Sequence, residues 1–174
     1  LTNGKTDPKS KIDLGYSKGS IGKCNWLKIG LAYSKLSINE ATALIVVSKY
    51  SGLEVEKSST IVAESKYDKD YEIGKVNNFV CEGKYSRYDI EEVASTLKLD
   101  IGYSKVSVDY IPKNFELIKI ESKYGSIDLD IDENAEYKLK ASLKYGSIDY
   151  PESEKISVQK ENTSVEVWGD VGQN

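Results

Sequence analysis

Eight tyrosines, Tyr16, Tyr33, Tyr50, Tyr67, Tyr85, Tyr103, Tyr124 and Tyr145, recur at spacings of 17, 17, 17, 18, 18, 21 and 21 residues. No other feature limits the fold as much. A unit this short buries too few side chains to offset the ordering of its own backbone, so the units must stack on one another. With each tyrosine as position zero, position minus six is mostly aliphatic or aromatic (Leu27, Leu44, Ile61, Phe79, Leu97) and position minus four is small or aliphatic (Ile29, Val46, Ala63, Cys81, Leu99). Position minus two alternates large with small: Leu14, Leu31, Ser48, Ser65, Gly83, Ile101. This period of two marks a half-buried strand. The tyrosine has the same parity.

Position plus one is Ser17, Ser34, Ser51, Asp68, Ser86, Ser104, Gly125 and Gly146, which is turn chemistry. Beyond it, positions plus three and plus five become apolar (Leu36 and Ile38, Leu53 and Val55, Tyr88 and Ile90, Val106 and Val108, Ile148 and Tyr150). The unit at Tyr67 slips by one, to Tyr71 and Ile73. Each unit therefore reads as a strand, a bend, a shorter strand and a return segment. The return adds one small or apolar residue nine before the next tyrosine: Cys24, Ala41, Ser58, Val76, Ala94, Phe115. The expected fold is all-β, a single parallel β-solenoid of about eight coils with equivalent positions about 4.8 Å apart. Residues 12–150 form the coils. Residues 1–11 are expected as an N-terminal cap or cut edge, and residues 151–174, with Val165, Val167 and Trp168, as a C-terminal cap that protects the open coil edge.

Composition narrows the function. The chain has 24 basic and 28 acidic residues and no histidine, so it lacks the commonest general base and metal ligand. A net charge of −4 is not the footprint of a nucleic-acid binder, and no apolar run approaches the length of a membrane span. The chain begins at Leu1 and contains no methionine, so it is expected to be a processed or trimmed form, with any export signal or anchor upstream.

Four features carry candidate chemistry. The tyrosine column could stack sugar rings, but its parity favours an in-register ladder supporting the corner of the coil. Lysine and arginine recur at position plus two (Lys18, Lys35, Lys69, Arg87, Lys105) and lysine at minus one (Lys49, Lys66, Lys84, Lys123, Lys144). Acidic or hydroxyl residues stand at plus four (Ser20, Ser37, Glu54, Asp89, Ser107, Asp128, Asp149). These rows are expected to form a solvated charged face, with a groove for an anionic polymer as the alternative. Asp109, Asp128, Asp130 and Asp132 alternate on neighbouring strands and are the candidate Ca²⁺ ligands, although no calcium-binding glycine-rich nonapeptide or EF-hand loop accompanies them. Cys24 and Cys81 fall on different columns about three coils apart, beyond disulfide reach, and are expected as buried thiols. No catalytic residue, cofactor or resident metal is expected. The lengthened returns, Asp109 to Leu117 and Asp130 to Lys138, are where a site is sought first.

The units Ser122-Lys123-Tyr124-Gly125-Ser126-Ile127-Asp128 and Leu143-Lys144-Tyr145-Gly146-Ser147-Ile148-Asp149 resemble the repeats of bacterial adhesin-like β-strand-repeat proteins, of the auto-transporter adhesin head GIN domain type. The resemblance covers Lys11 to about Tyr150. It implies a right-handed β-helix exported to the cell envelope or the extracellular space, and it supplies no catalytic residues. The function expected is that of a non-enzymatic, adhesin-like surface protein with a glycan or extracellular protein as partner and no nucleic acid. The alternatives are a polysaccharide-active β-helix enzyme and a structural spacer or assembly module.

Overall fold

The computed structural model describes residues 10–145, 149 and 155–172. Those residues form twelve strands and no helix: β1 (Ser10–Gly15), β2 (Lys18–Ala32), β3 (Lys35–Lys49), β4 (Gly52–Lys66), β5 (Asp70–Lys84), β6 (Arg87–Gly102), β7 (Lys105–Ile111), β8 (Leu117–Lys123), β9 (Ser126–Ile131), β10 (Tyr137–Lys144), β11 (Ile156–Lys160) and β12 (Ser164–Val171). The chain is a β-solenoid of about eight turns. Strands β1 to β6 pair in sequence order, each parallel to the next, so every coil lies in register on its neighbour.

The stacking follows from the columns. Leu27, Leu44, Ile61, Phe79 and Leu97 are register partners, as are Ile29, Val46, Ala63, Cys81 and Leu99, and all ten are buried. On the facing wall, Leu36, Leu53, Tyr71, Tyr88 and Val106 form one buried column and Ile38, Val55, Ile73, Ile90 and Val108 another. Burial of these four columns is the main favourable term holding the coils together.

The return segments differ from expectation. In β2 to β5 the return stays within the strand, and each coil is one strand of 15 residues between corners of two residues, or three at Tyr67. The path bends inside the strand instead. Pairing skips Asn39 and Thr42 of β3, where burial also breaks its alternation. The last column is corrected as well: Val76 pairs with Val93, which is buried, and not with Ala94. Two residues of β6, Ala94 and Ser95, face one of β5, so the extra residue of that unit is absorbed as a bulge. The 18-residue unit at Tyr67 places its extra residue in the corner instead, where Gly52 pairs with Asp70.

The 21-residue units split the strand. Turns at Pro112–Phe115 and Asp132–Ala135 separate β7 from β8 and β9 from β10. At the C-terminal end, β12 runs antiparallel along β10, and β11 along β12. Val167 of β12 is buried, and the Tyr145 amide donates to the Thr163 carbonyl at 2.7 Å. An antiparallel hairpin breaks the parallel register and ends the stack on that side. Of the expected terminal segments, residues 1–9, 151–154 and 173–174 lie outside the described residues, as do Gly146, Ile148 and Tyr150 of the last expected coil; Ser10 and Lys11 already belong to β1.

Candidate functional site

Each corner is built from a tyrosine and the residue after it. All eight tyrosines have φ between 51° and 58°, in the left-handed region. For a bulky L-residue this conformation is uncommon and costs about 1–2 kcal/mol. It corrects the parity expectation. The left-handed backbone turns every tyrosine ring outward, so the rings are exposed, from 41% at Tyr67 to 81% at Tyr16, and in five corners the following residue (Ser34, Ser51, Asp68, Ser86, Ser104) is buried. Consecutive rings stack nearly parallel, with centroids 4.7–5.0 Å apart and interplanar angles of 15° or less. An aromatic pair contributes about 0.5–1.5 kcal/mol beyond its burial, a size comparable to the left-handed strain of a single corner.

Inside the corner, serine hydroxyls complete the backbone hydrogen bonding. Ser17 N–H donates to Ser34 Oγ at 3.0 Å, Ser34 N–H to Ser51 Oγ at 3.1 Å, and Ser86 N–H to Ser104 Oγ at 3.2 Å. Each hydroxyl in turn donates to the carbonyl two residues earlier, as Ser34 does to Ala32 at 2.9 Å. A serine column therefore satisfies amides that the turn removes from the strand ladder.

Asp68 occupies the serine position of the fourth corner and is completely buried. Its carboxylate accepts from Ser51 N–H at 2.6 Å, Ser48 Oγ at 2.7 Å and Ser65 Oγ at 2.8 Å. Ser48 Oγ also lies 2.5 Å from the hydroxyl of Tyr71. Burial pushes the Asp68 carboxyl above its ordinary value, against the opposing pull of these hydrogen bonds. This network was not found by reading the sequence as a site. Its signal was the lone acid in a serine column, together with Tyr71 and Tyr88 at inward positions where the minus-two residues shrink to Ser48, Ser65 and Gly83. The Tyr88 hydroxyl occupies the space a Gly83 Cβ would need. The group packs the core and does not open to solvent.

The other expected residues are dispersed. Asp109, Asp128 and Asp130 are exposed. Asp132 accepts from the backbone and side-chain nitrogens of Asn134 at 2.9 and 3.2 Å and from the Tyr110 hydroxyl at 3.3 Å, which makes it the cap of a tight turn. Among the described residues no group of three or more acidic, cysteine or histidine side chains is placed to share a metal ion. Along the two lengthened returns, Phe115 packs on Tyr137 with centroids 5.5 Å apart, and Ala135 of the second turn is buried. Cys24 and Cys81 are both free, and burial pushes the Cys81 thiol up to about 12.

The outward edge is continuous where the returns are not. Shallow depressions follow the corner along its length, one lined by Tyr16, Lys18, Tyr33, Lys35, Lys69 and the acidic Asp70 among others, the other by Lys69, Tyr85, Arg87, Tyr103, Lys105 and Tyr124 among others. The plus-two cations flank the ladder on one side and the minus-one lysines on the other. Lys49 and Lys144 lie over the rings of Tyr50 and Tyr145, at 5.3 and 5.7 Å. Further out, ion pairs link the rows: Lys35 with Glu54, Lys66 with Glu64 at 3.1 Å, Arg87 with Asp89 at 2.7 Å. Exposed pairs like these stabilise little and leave the lysines available. Comparison of the chain with protein-family models, curated proteins and solved structures found no match.

Proposed function

We propose that the chain is a non-enzymatic, adhesin-like binding solenoid of the cell envelope or cell surface, which presents its tyrosine edge to an extracellular glycan or protein. The observation that carries this reading is the repetition of one outward residue set, an exposed phenol flanked by cations, along the corner of successive coils. Left-handed tyrosines are a costly way to make a turn that glycine or asparagine makes more easily. An exposed row of aromatic and basic side chains is the kind of surface that anchors interfaces. The resemblance of the Tyr124 and Tyr145 units to adhesin-like repeats supports the same compartment and role.

The experiment is binding of the purified chain to arrays of glycans and extracellular-matrix proteins. Retention on a defined subset, lost when Tyr85, Tyr103 and Tyr124 are replaced together by serine in a protein that still gives a β-rich circular dichroism spectrum, is the expected result. Absence of any retention, or cleavage of a polysaccharide by the purified chain, would overturn the reading.

A further inference from the structure

The charge of this protein is segregated along its length. Of 24 lysines and arginines, ten stand immediately before a ladder tyrosine or two residues after it. The one acidic residue within that window is Asp68, which is buried. A molecule of net charge −4 therefore carries a mainly cationic outer stripe centred on its tyrosines, interrupted in the plus-two row by Gly52 and by the exposed Asp70, its register partner in the slipped Tyr67 unit. Acidic rows border the stripe on both sides, with Glu64, Glu82 and Asp100 in register on one and Glu54, Glu72 and Asp89 on the other. Three of the ten cations pair with these borders. Lys18, Lys69, Lys84, Lys105 and Lys123 take no ion pair among the described residues.

We propose that this stripe is a track for an extended acidic polysaccharide, laid parallel to the solenoid axis, with its acid groups over the cation rows and its hydroxyls against the phenols. The inference rests on the reading of the chain as a binding solenoid and names the ligand class. Three observations select the polymer. The track repeats once per coil, at 4.7–5.0 Å, which is close to the length of one sugar ring in an extended chain. An acidic peptide strand advances about 3.3 Å per residue and duplex DNA one charge per about 1.7 Å, so neither keeps phase with it. Between the two ends of the ladder each tyrosine ring is stacked on both neighbours, which leaves mainly ring edges exposed. Single-stranded nucleic acid needs open aromatic faces on which its bases stack, and between those ends the stacked rings offer it none. The acidic borders repel a polyanion that strays sideways, which fixes its direction. Each contact is exposed and weak, and repetition along one chain supplies the affinity.

The test is calorimetric titration of the purified chain with polygalacturonate, with its methyl ester and with oligothymidylate. Two variants of equal charge are compared: Lys69→Gln, Lys84→Gln, Lys105→Gln and Lys123→Gln on the track, and Lys28→Gln, Lys57→Gln, Lys98→Gln and Lys140→Gln away from it. The free polyuronate is expected to bind, more weakly as salt is raised, and the ester to fail. The track variant should lose roughly tenfold or more in affinity while the off-track variant stays within about twofold. Equal losses in the two variants, equal binding of the ester, or tighter binding of oligothymidylate would overturn the proposal. Should the chain bind a neutral glycan or a protein on the arrays but no polyuronate, this inference fails and the broader binding role stands; binding to nothing sinks both.

Discussion

Two interior residues are explained by what they touch. Gly83 is small because the Tyr88 hydroxyl lies over it, and that hydroxyl, fully buried, has no hydrogen-bond partner among the described residues. Gly83→Ala is expected to destabilise the chain by about 1–3 kcal/mol through overpacking. The same change should cost less in a Tyr88→Phe background, which removes the clashing oxygen and an unpaired polar group together. Denaturant titration of the four proteins in this cycle measures both effects, and a Gly83→Ala penalty unaltered by Tyr88→Phe would contradict the contact. Asp68 makes the second case. Its folded-state pKa lies above the unfolded value, so protonation favours the fold. That contribution is complete below the unfolded pKa, about 3.9, and is lost as pH rises through the folded pKa. Asp68→Asn, which cannot titrate, should therefore gain in melting temperature relative to the wild type as pH is raised from about 4 toward neutrality. Parallel melting curves over that range would show that the carboxyl does not titrate as its burial requires.

At the scale of the element, the corner decides the architecture. Its backbone is strained, its hydroxyl column satisfies the amides, and its rings stack. Glycine would relieve the strain and alanine would keep it, while either would abolish the stack. So Tyr50→Ala should be more destabilising than Tyr50→Gly, by about 1 kcal/mol, the reverse of the order in an ordinary strand. Equilibrium unfolding of the two variants reads the difference directly, and alanine the milder change would mean that the left-handed turn is not what the tyrosine holds. The columns from minus six to minus two and at plus three and plus five were legible in the sequence because alternation reports burial wherever the backbone is extended. The orientation of the tyrosine was not, because one left-handed residue inverts parity without leaving any trace in hydrophobicity. For the same reason the serines read as turn residues and not as buried hydrogen-bonding groups. The bulge at Ala94 and Ser95 hid in an 18-residue spacing identical to that of the Tyr67 unit, whose extra residue sits in the corner.

For the whole molecule, the even scatter of charge along the sequence concealed its segregation in space. Net charge excluded a basic footprint, yet folding at a fixed period brings ten cations onto one edge and their acidic counterparts onto its borders. The two ends of the stack also differ: among the described residues β1 pairs with β2 alone, whereas β10 is covered by the antiparallel β12, which pairs in turn with β11. Fold and surface both depend on the ladder lying outside the coil. Nitration of the native protein by tetranitromethane, mapped by mass spectrometry, tests this most directly. Tyr33, Tyr50, Tyr67, Tyr85, Tyr103 and Tyr124 should be modified while Tyr71 and Tyr88, both wholly buried, stay intact until the chain is unfolded. Protection of the ladder tyrosines to the same degree as Tyr71 and Tyr88 would place them in the core and contradict the account.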